Sequence, residues 1–154
     1  LTSVKVIEEG SPVSYGGTWA APTRRWIGLV PLGYGDGILR AASNRARVLV
    51  HTASGPLSAP VVGRVCMDQF MVDLGKAAGD AGEATAHAGQ PPALVGDEVI
   101  LLGNGAGGEP LADEWADAAD TINYEIVTRL GAHIPRTYVR SGAERTQHGR
   151  NPHD

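Results

Sequence analysis

Short runs of alternating apolar and polar residues fill most of this chain, and glycine or proline punctuates nearly every run. That pattern predicts frequent turns between short strands. Strands are expected at VKVIEE (4–9), RWIGLVPLG (25–33), ARVLVH (46–51), PVVGRVCMDQFMVDL (60–74), DEVILLG (97–103) and TYVR (137–140). The 60–74 run is long for one strand and holds Gly63, so a bend or bulge is expected within it. From Glu109 the period changes: Leu111, Trp115, Ala118 and Ile122, then Ile122, Ile126 and Leu130, recur at helical spacing. One or two short helices packed on the sheet follow, with Thr121 as a cap of the second and Gly131 ending it in the left-handed conformation. The expected fold is mainly β, a small β-barrel or sandwich-like domain over residues 1–140 with short helices near its C-terminal end. The Ala, Gly and Pro-rich stretch 75–96 reads as a mobile surface loop, with His87 a solvated member of it, and 141–154 as a frayed polar tail.

Composition narrows the classes of function. At 154 residues, 42% of them hydrophobic, the chain has the size and apolar content of one domain, and no apolar run approaches the ~20 residues of a membrane span. The opening LTSVKVIEEG alternates like a strand and lacks a signal peptide's order, so the chain reads as starting inside a fold. A single cysteine, Cys66, forms no internal disulfide, which fits a reducing cytoplasm and a small packed side chain. A formal charge of −4 with interspersed signs offers no footprint for a phosphate backbone, so nucleic acid is not expected as a partner, nor is a membrane. Lysine is scarce: Lys5 and Lys76 stand beside eleven arginines.

The five histidines are scattered and Cys66 is alone, so no zinc spacing is present and no metal is expected. GNGAGGE (103–109) lacks the hydroxyl or lysine of a phosphate loop and reads as a hairpin turn. The tyrosines are more informative. Tyr15 lies in SYGG, Tyr34 in LGYGDG and Tyr124 in TINYE, and flanking glycines let backbone and ligand approach a ring closely. Taken singly, these settings also suit plain packing. In GRVCMDQ (63–69), strand alternation puts Arg64, Cys66 and Asp68 on one face and Val65, Met67 and Gln69 on the other, unless a bulge intervenes. An Arg64–Asp68 structural pair and a free backbone N–H that binds a carboxylate are both open readings there.

PVSYGGTW, WIGLVPLGYGDG, VVGRVCMDQ, VGDEVILLG and TINYEIVTRLGAHIPRTY follow one another over roughly residues 3–140. In that order they resemble the C-terminal domain of alanine racemase. The resemblance implies a pyridoxal-phosphate isomerase that interconverts L- and D-alanine for peptidoglycan. It also implies a mainly β domain that follows an N-terminal barrel, and the present chain reads as the second part only. The cofactor lysine would then lie outside this chain. That agrees with the residues: attachment needs a desolvated or charge-tuned lysine, whereas Lys5 is in an exposed-looking strand and Lys76 in the loop.

The resemblance also implies roles. Tyr15 matches the base that removes the α-proton of L-alanine, with the barrel lysine of a head-to-tail homodimer working on the opposite face. Because tyrosine has a reference pKa of about 10, such a base needs neighbouring cations or donors. Met67 matches the residue whose backbone N–H holds the substrate carboxylate, and Tyr124 the one that bonds the cofactor phosphate. Tyr34, Arg40 and Arg64 match the polar entryway. Gly35 stands where alanine is common in the family, and the 75–96 loop looks longer than usual. Taken alone, the domain is expected to be inactive and to hold no covalent cofactor. Two other readings remain at this point: a small β-barrel binding module for RNA or protein, and part of a racemase with broader substrates.

Overall fold

The computed structural model describes residues 1–78 and 89–138. Eight strands, β1 (Ser3–Ile7), β2 (Pro12–Val13), β3 (Trp19–Ala20), β4 (Arg25–Val30), β5 (Arg47–Thr52), β6 (Gly55–Val62), β7 (Phe70–Lys76) and β8 (Glu98–Ile100), precede two helices, α1 (Ala112–Ala119) and α2 (Asn123–Thr128). Six strands form one antiparallel sheet in the order β1-β4-β7-β6-β5-β8, and β2 pairs with β3 in a separate ribbon. The fold is therefore mainly β with two short helices near the C-terminal end, as the periodicity predicts. Among the described residues the sheet does not close into a barrel through a ladder. Its two edges are nonetheless drawn together, because the Gly96 N–H donates to the Leu1 carbonyl at 2.8 Å just before β8.

Strand β6 turns the sheet. Its residues through Pro60 pair with β5, and Val61 and Val62 pair with β7. Proline has no N–H for a ladder, so Pro60 marks the place where pairing changes partner. Alternation beyond that point loads both faces. Val61, Phe70 and Val72 point into the main core with Val48, Val50, Trp115 and Ile126, while Val62 and Ile27 pack on the other side with Val13. Trp19 and Met71 complete this second cluster, so the β2–β3 ribbon is held against the sheet by its own apolar side chains. The loop of that ribbon carries Tyr15.

Several sequence expectations change. The 60–74 run is two strands joined by an irregular segment at 63–69, so alternation does not apply to GRVCMDQ: Val65 is fully buried while Met67 is 55% exposed. Gly75 and Lys76 belong to β7, and Ala93 is buried in the core, so both ends of the 75–96 stretch are ordered parts of the domain. Its middle, with His87, lies outside the described residues, as do the tail and the last two residues of TYVR. Residues 137 and 138 are not strand.

The glycine cluster turns into α1 and not into a returning strand, closed by a Gly103 N–H to Pro110 carbonyl bond of 2.9 Å. Ile122 is the N-cap residue of α2 and 64% exposed, outside the buried stripe assigned to it. Thr121 does not cap the backbone, because its hydroxyl is spent on the Glu125 carboxylate. Nor is Gly131 left-handed. It lies beyond the end of α2, and its N–H donates 2.9 Å to the Asp36 carbonyl.

Candidate active site

The irregular 63–69 segment is the platform on which the singled-out residues meet. Ser14 donates its hydroxyl to the Arg64 carbonyl at 2.7 Å and lies 3.4 Å from the Cys66 sulfur. Tyr15 Oη reaches the next carbonyl, Val65, at 3.4 Å. One turn of chain further, the Tyr34 N–H donates to the Cys66 carbonyl at 2.9 Å and the Gly35 N–H to the Met67 carbonyl at 2.8 Å. Four consecutive carbonyls thus hold the two tyrosine-bearing turns side by side.

Backbone conformation explains the glycines around these rings. Ser14, Gly16 and Gly17 all have positive φ, which lets the 3-10 turn at Tyr15–Gly17 fold tightly and leave the ring 45% exposed. Around Tyr34 the turn is fixed by Asp36, whose carboxylate accepts from the Gly33 N–H at 2.7 Å and meets His133 Nε2 at 2.8 Å. The His133 hydrogen bond, then the Gly33 amide, hold the Asp36 carboxyl below its ordinary value. Gly33 itself is a close-approach position, since a Cβ there would overlap the Met67 carbonyl.

Two guanidinium groups converge on Tyr15. Arg40 Nε donates to the phenol oxygen at 2.7 Å, and its Cζ lies 5.6 Å from the ring centroid. Arg64 Cζ lies 5.4 Å from the same centroid, within cation–π range. The hydrogen bond to Tyr15, followed by the charge interaction with it, raises Arg40 above its ordinary value. Arg64 therefore serves the tyrosine and not Asp68: no ion pair joins Arg64 to Asp68 among the described residues.

Met67 presents its backbone as well as its side chain. The Cys66 N–H turns back to the Gln69 carbonyl at 2.9 Å, which bends the chain at Met67. Among the described residues no group accepts from the Met67 N–H, so a backbone donor without a partner stands at the bend. Tyr124 stands apart from this cluster in the first turn of α2, 74% exposed, with no side-chain bond to Tyr15, Tyr34 or Met67. Its element is joined to the site indirectly, through the Gly131 to Asp36 bond.

Comparison with known proteins adds the decisive observation. A family model described as "Alanine racemase, C-terminal domain" matches residues 1–138. The chain belongs to the alanine racemase family as its C-terminal domain. The alanine racemase of Mycolicibacterium vanbaalenii is 45% identical over 139 residues, which is 90% of this chain and 32% of that protein. The alanine racemase structure from Streptomyces coelicolor A3(2) superposes with a TM-score of 0.70 at 46% identity, covering 90% of this chain and 31% of that one. Another, described as the alanine racemase from Bacillus anthracis with bound L-Ala-P, gives 0.69 at 34% identity, covering 92% and 32%. The chain thus spans about a third of the length of these relatives. The family assignment displaces the free-standing binding module as a reading of this fold.

Within this alanine racemase domain, three residues that organise the site gave no chemical signal in the sequence. Ser43 accepts from the Val65 N–H at 3.0 Å and donates to the Arg40 carbonyl at 2.5 Å. Asn44, at φ 61°, accepts from the Gly63 N–H at 2.6 Å. Asp36 braces the Tyr34 turn as described. The available cue was turn chemistry: Ser, Asn and Asp next to glycine or at a strand's entry cap backbone donors. Lys5 and Lys76 are both exposed, in β1 and β7, so neither is desolvated for cofactor attachment.

Proposed function

We propose that this domain supplies one of the two proton-transfer groups of an alanine racemase, together with the contact for the substrate carboxylate. The observation that carries the reading is the Arg40 Nε to Tyr15 Oη bond of 2.7 Å with Arg64 on the same ring. The Tyr15 oxygen accepts from Arg40 at 2.7 Å while its own O–H makes only a long 3.4 Å bond to the Val65 carbonyl, and a cationic donor held on the oxygen suits a phenol that acts as a base. Tyr15 then takes the α-proton of L-alanine at Oη and returns a proton there in the reverse direction. A second base outside this chain, a lysine of an N-terminal barrel, works on the opposite face. Racemisation through a planar centre needs both faces served.

The unpartnered N–H at Met67 fits the substrate carboxylate, because a backbone donor at a bend binds an anion without its own counter-charge. Tyr124 is assigned to the cofactor phosphate, and Tyr34, Arg40 and Arg64 to a polar entryway beside the base. The donor set suits pyridoxal phosphate as a non-covalent neighbour: exposed phenols and guanidinium groups are present, and a buried lysine is not. When bound, that cofactor supplies an electron sink that stabilises the carbanion. The pocket is completed in a head-to-tail homodimer, which accounts for the exposed rings of Tyr15 and Tyr124 and the exposed Met67 side chain. The reaction supplies D-alanine for peptidoglycan in the cytoplasm, where Cys66 stays reduced.

Two measurements test this. In the full-length enzyme, Tyr15→Phe is expected to lower alanine racemisation at least a hundredfold while cofactor absorbance is retained. Racemisation assays with serine and lysine as competitors test the substrate class. Unchanged turnover in Tyr15→Phe, or serine or lysine handled as well as alanine, would overturn the corresponding part.

A further inference from the structure

The amide side chain of Asn44 bridges the two turns that hold Arg40 and Tyr15. Its Oδ1 accepts from the Gly63 N–H at 2.6 Å, at the start of the platform, and its Nδ2 donates to Thr18 Oγ1 at 3.0 Å, at the end of the Tyr15 turn. On the Arg40 side, the 3-10 turn Arg40–Ala42 runs directly into Ser43, whose hydroxyl ties the Arg40 carbonyl to the Val65 N–H. Gly63 is itself a close-approach position, since a Cβ there would lie 2.6 Å from the Val13 carbonyl oxygen. Asn44 adopts φ 61°, a left-handed conformation that asparagine tolerates better than most residues but still at a cost. That cost is met where two side-chain hydrogen bonds define the conformation.

We infer that Asn44 is a positioning residue: it sets the separation of the Arg40 and Tyr15 turns, and so the 2.7 Å bond from Arg40 Nε to the tyrosine oxygen. Tyr15 and Arg40 each sit on a loop, and neither is locked by core packing. Without the bridge, Thr18 and Gly63 lose a shared partner, and the two turns are tied to each other only through the platform, by Ser14 on one side and Ser43 on the other. The inference rests on the reading of Tyr15 as a base, and its consequence lies in proton transfer and not in binding of the cofactor.

The test is a double-mutant cycle in the full-length enzyme. Asn44→Gly removes both bonds while glycine accepts the left-handed backbone freely. It is expected to slow α-proton exchange from L-alanine about tenfold, the effect of one misplaced hydrogen bond. Cofactor absorbance should stay intact. In an Arg40→Ala background, where the contact to be positioned is gone, Asn44→Gly should cost less than about twofold more. Asn44→Asp is the conservative control. A carboxylate accepts from both the Gly63 N–H and the Thr18 hydroxyl, so it should keep exchange within about threefold of wild type. Equal slowing by Asn44→Gly in both backgrounds, or no slowing in either, would overturn the positioning role. If Asn44→Gly fails to fold, Thr18→Val removes only the bond on the Tyr15 side and carries the same cycle with the same two outcomes. Tyr15→Phe measured in parallel separates the two ideas. If it leaves exchange unchanged, the base assignment fails, whereas a slow Tyr15→Phe with an additive cycle defeats only the role of Asn44.

Discussion

Arg40 donates its Nε–H to the Tyr15 phenol oxygen at 2.7 Å across 25 residues of chain, from one short 3-10 turn to another. Both turns rest on the irregular segment after β6. The relation between a cation and a phenol is therefore set by loop geometry, and loops held by hydrogen bonds are tuned by polar residues more than by core packing.

Loss of that cation should be felt in rate. Arg40→Ala in the full-length enzyme is expected to lower kcat for L-alanine ten- to a hundredfold, as for a charge-assisted hydrogen bond to a reacting group. Arg40→Lys should recover only part, because an ammonium cannot place a donor where the guanidinium Nε stands. Steady-state kinetics with matched cofactor absorbance check both.

The platform should tolerate no added methyl group at Gly33. A Cβ there would overlap the Met67 carbonyl, and backbone cannot step aside as a side-chain tip can. Gly33→Ala is expected to destabilise by more than about 2 kcal/mol in chemical denaturation. Gly55→Ala, with open space around its Cβ but φ 116°, should cost only the backbone term of about 1–2 kcal/mol.

Asp73 holds the centre of the sheet. Only 6% exposed, it takes a two-pronged pair from Arg25 at 2.9 and 2.5 Å, and also accepts from the Gly75 N–H at 2.9 Å, where the β4–β7 register shifts. Asp73→Ala leaves Arg25 without its partner and the bulge without its cap. The expected loss is about 3 kcal/mol, read by thermal or denaturant unfolding.

The Asp36 clamp gives a pH signature. Its carboxyl titrates below the ordinary value of about 3.9 in the folded state, so the unfolded chain binds the proton more readily. The associated stability is present above about pH 4 and is lost as pH falls through the lower folded value. Asp36→Asn should therefore lower Tm by roughly 2 °C at pH 5–6, and the difference should shrink below pH 4.

β1, β4, β5, β7 and β8 were legible as short apolar-rich runs bounded by turn residues, as in RWIGLV and RVLVHT, whereas β2, β3 and most of β6 lie outside the expected strands because their residues alternate weakly and include prolines. Where two rules competed, the sequence reading failed. GRVCMDQ has the composition of a strand, yet hydrogen bonds from Ser14, Tyr34 and Gly35 claim its carbonyls and pull it out of any ladder. Ile122 fits the helical period, but the chain turns between α1 and α2 at Asp120, which is left-handed, and the stripe breaks. Among site residues, Tyr15, Arg40 and Arg64 do come together, whereas Tyr124 stands on its own helix. Turn chemistry at the entry to β5 was the only cue to Ser43 and Asn44, and it did not say which distant backbone groups, Val65 and Gly63, they would bond.

The most direct measurement is incorporation of solvent deuterium at Cα by the full-length enzyme and its Tyr15→Phe variant, starting from L-alanine and, separately, from D-alanine. With Tyr15 as the base for the L-enantiomer, exchange from L-alanine falls at least a hundredfold while exchange from D-alanine, begun by the opposite base, falls far less. Equal rates from L-alanine in the two proteins, or equal losses from both enantiomers, would contradict the assignment.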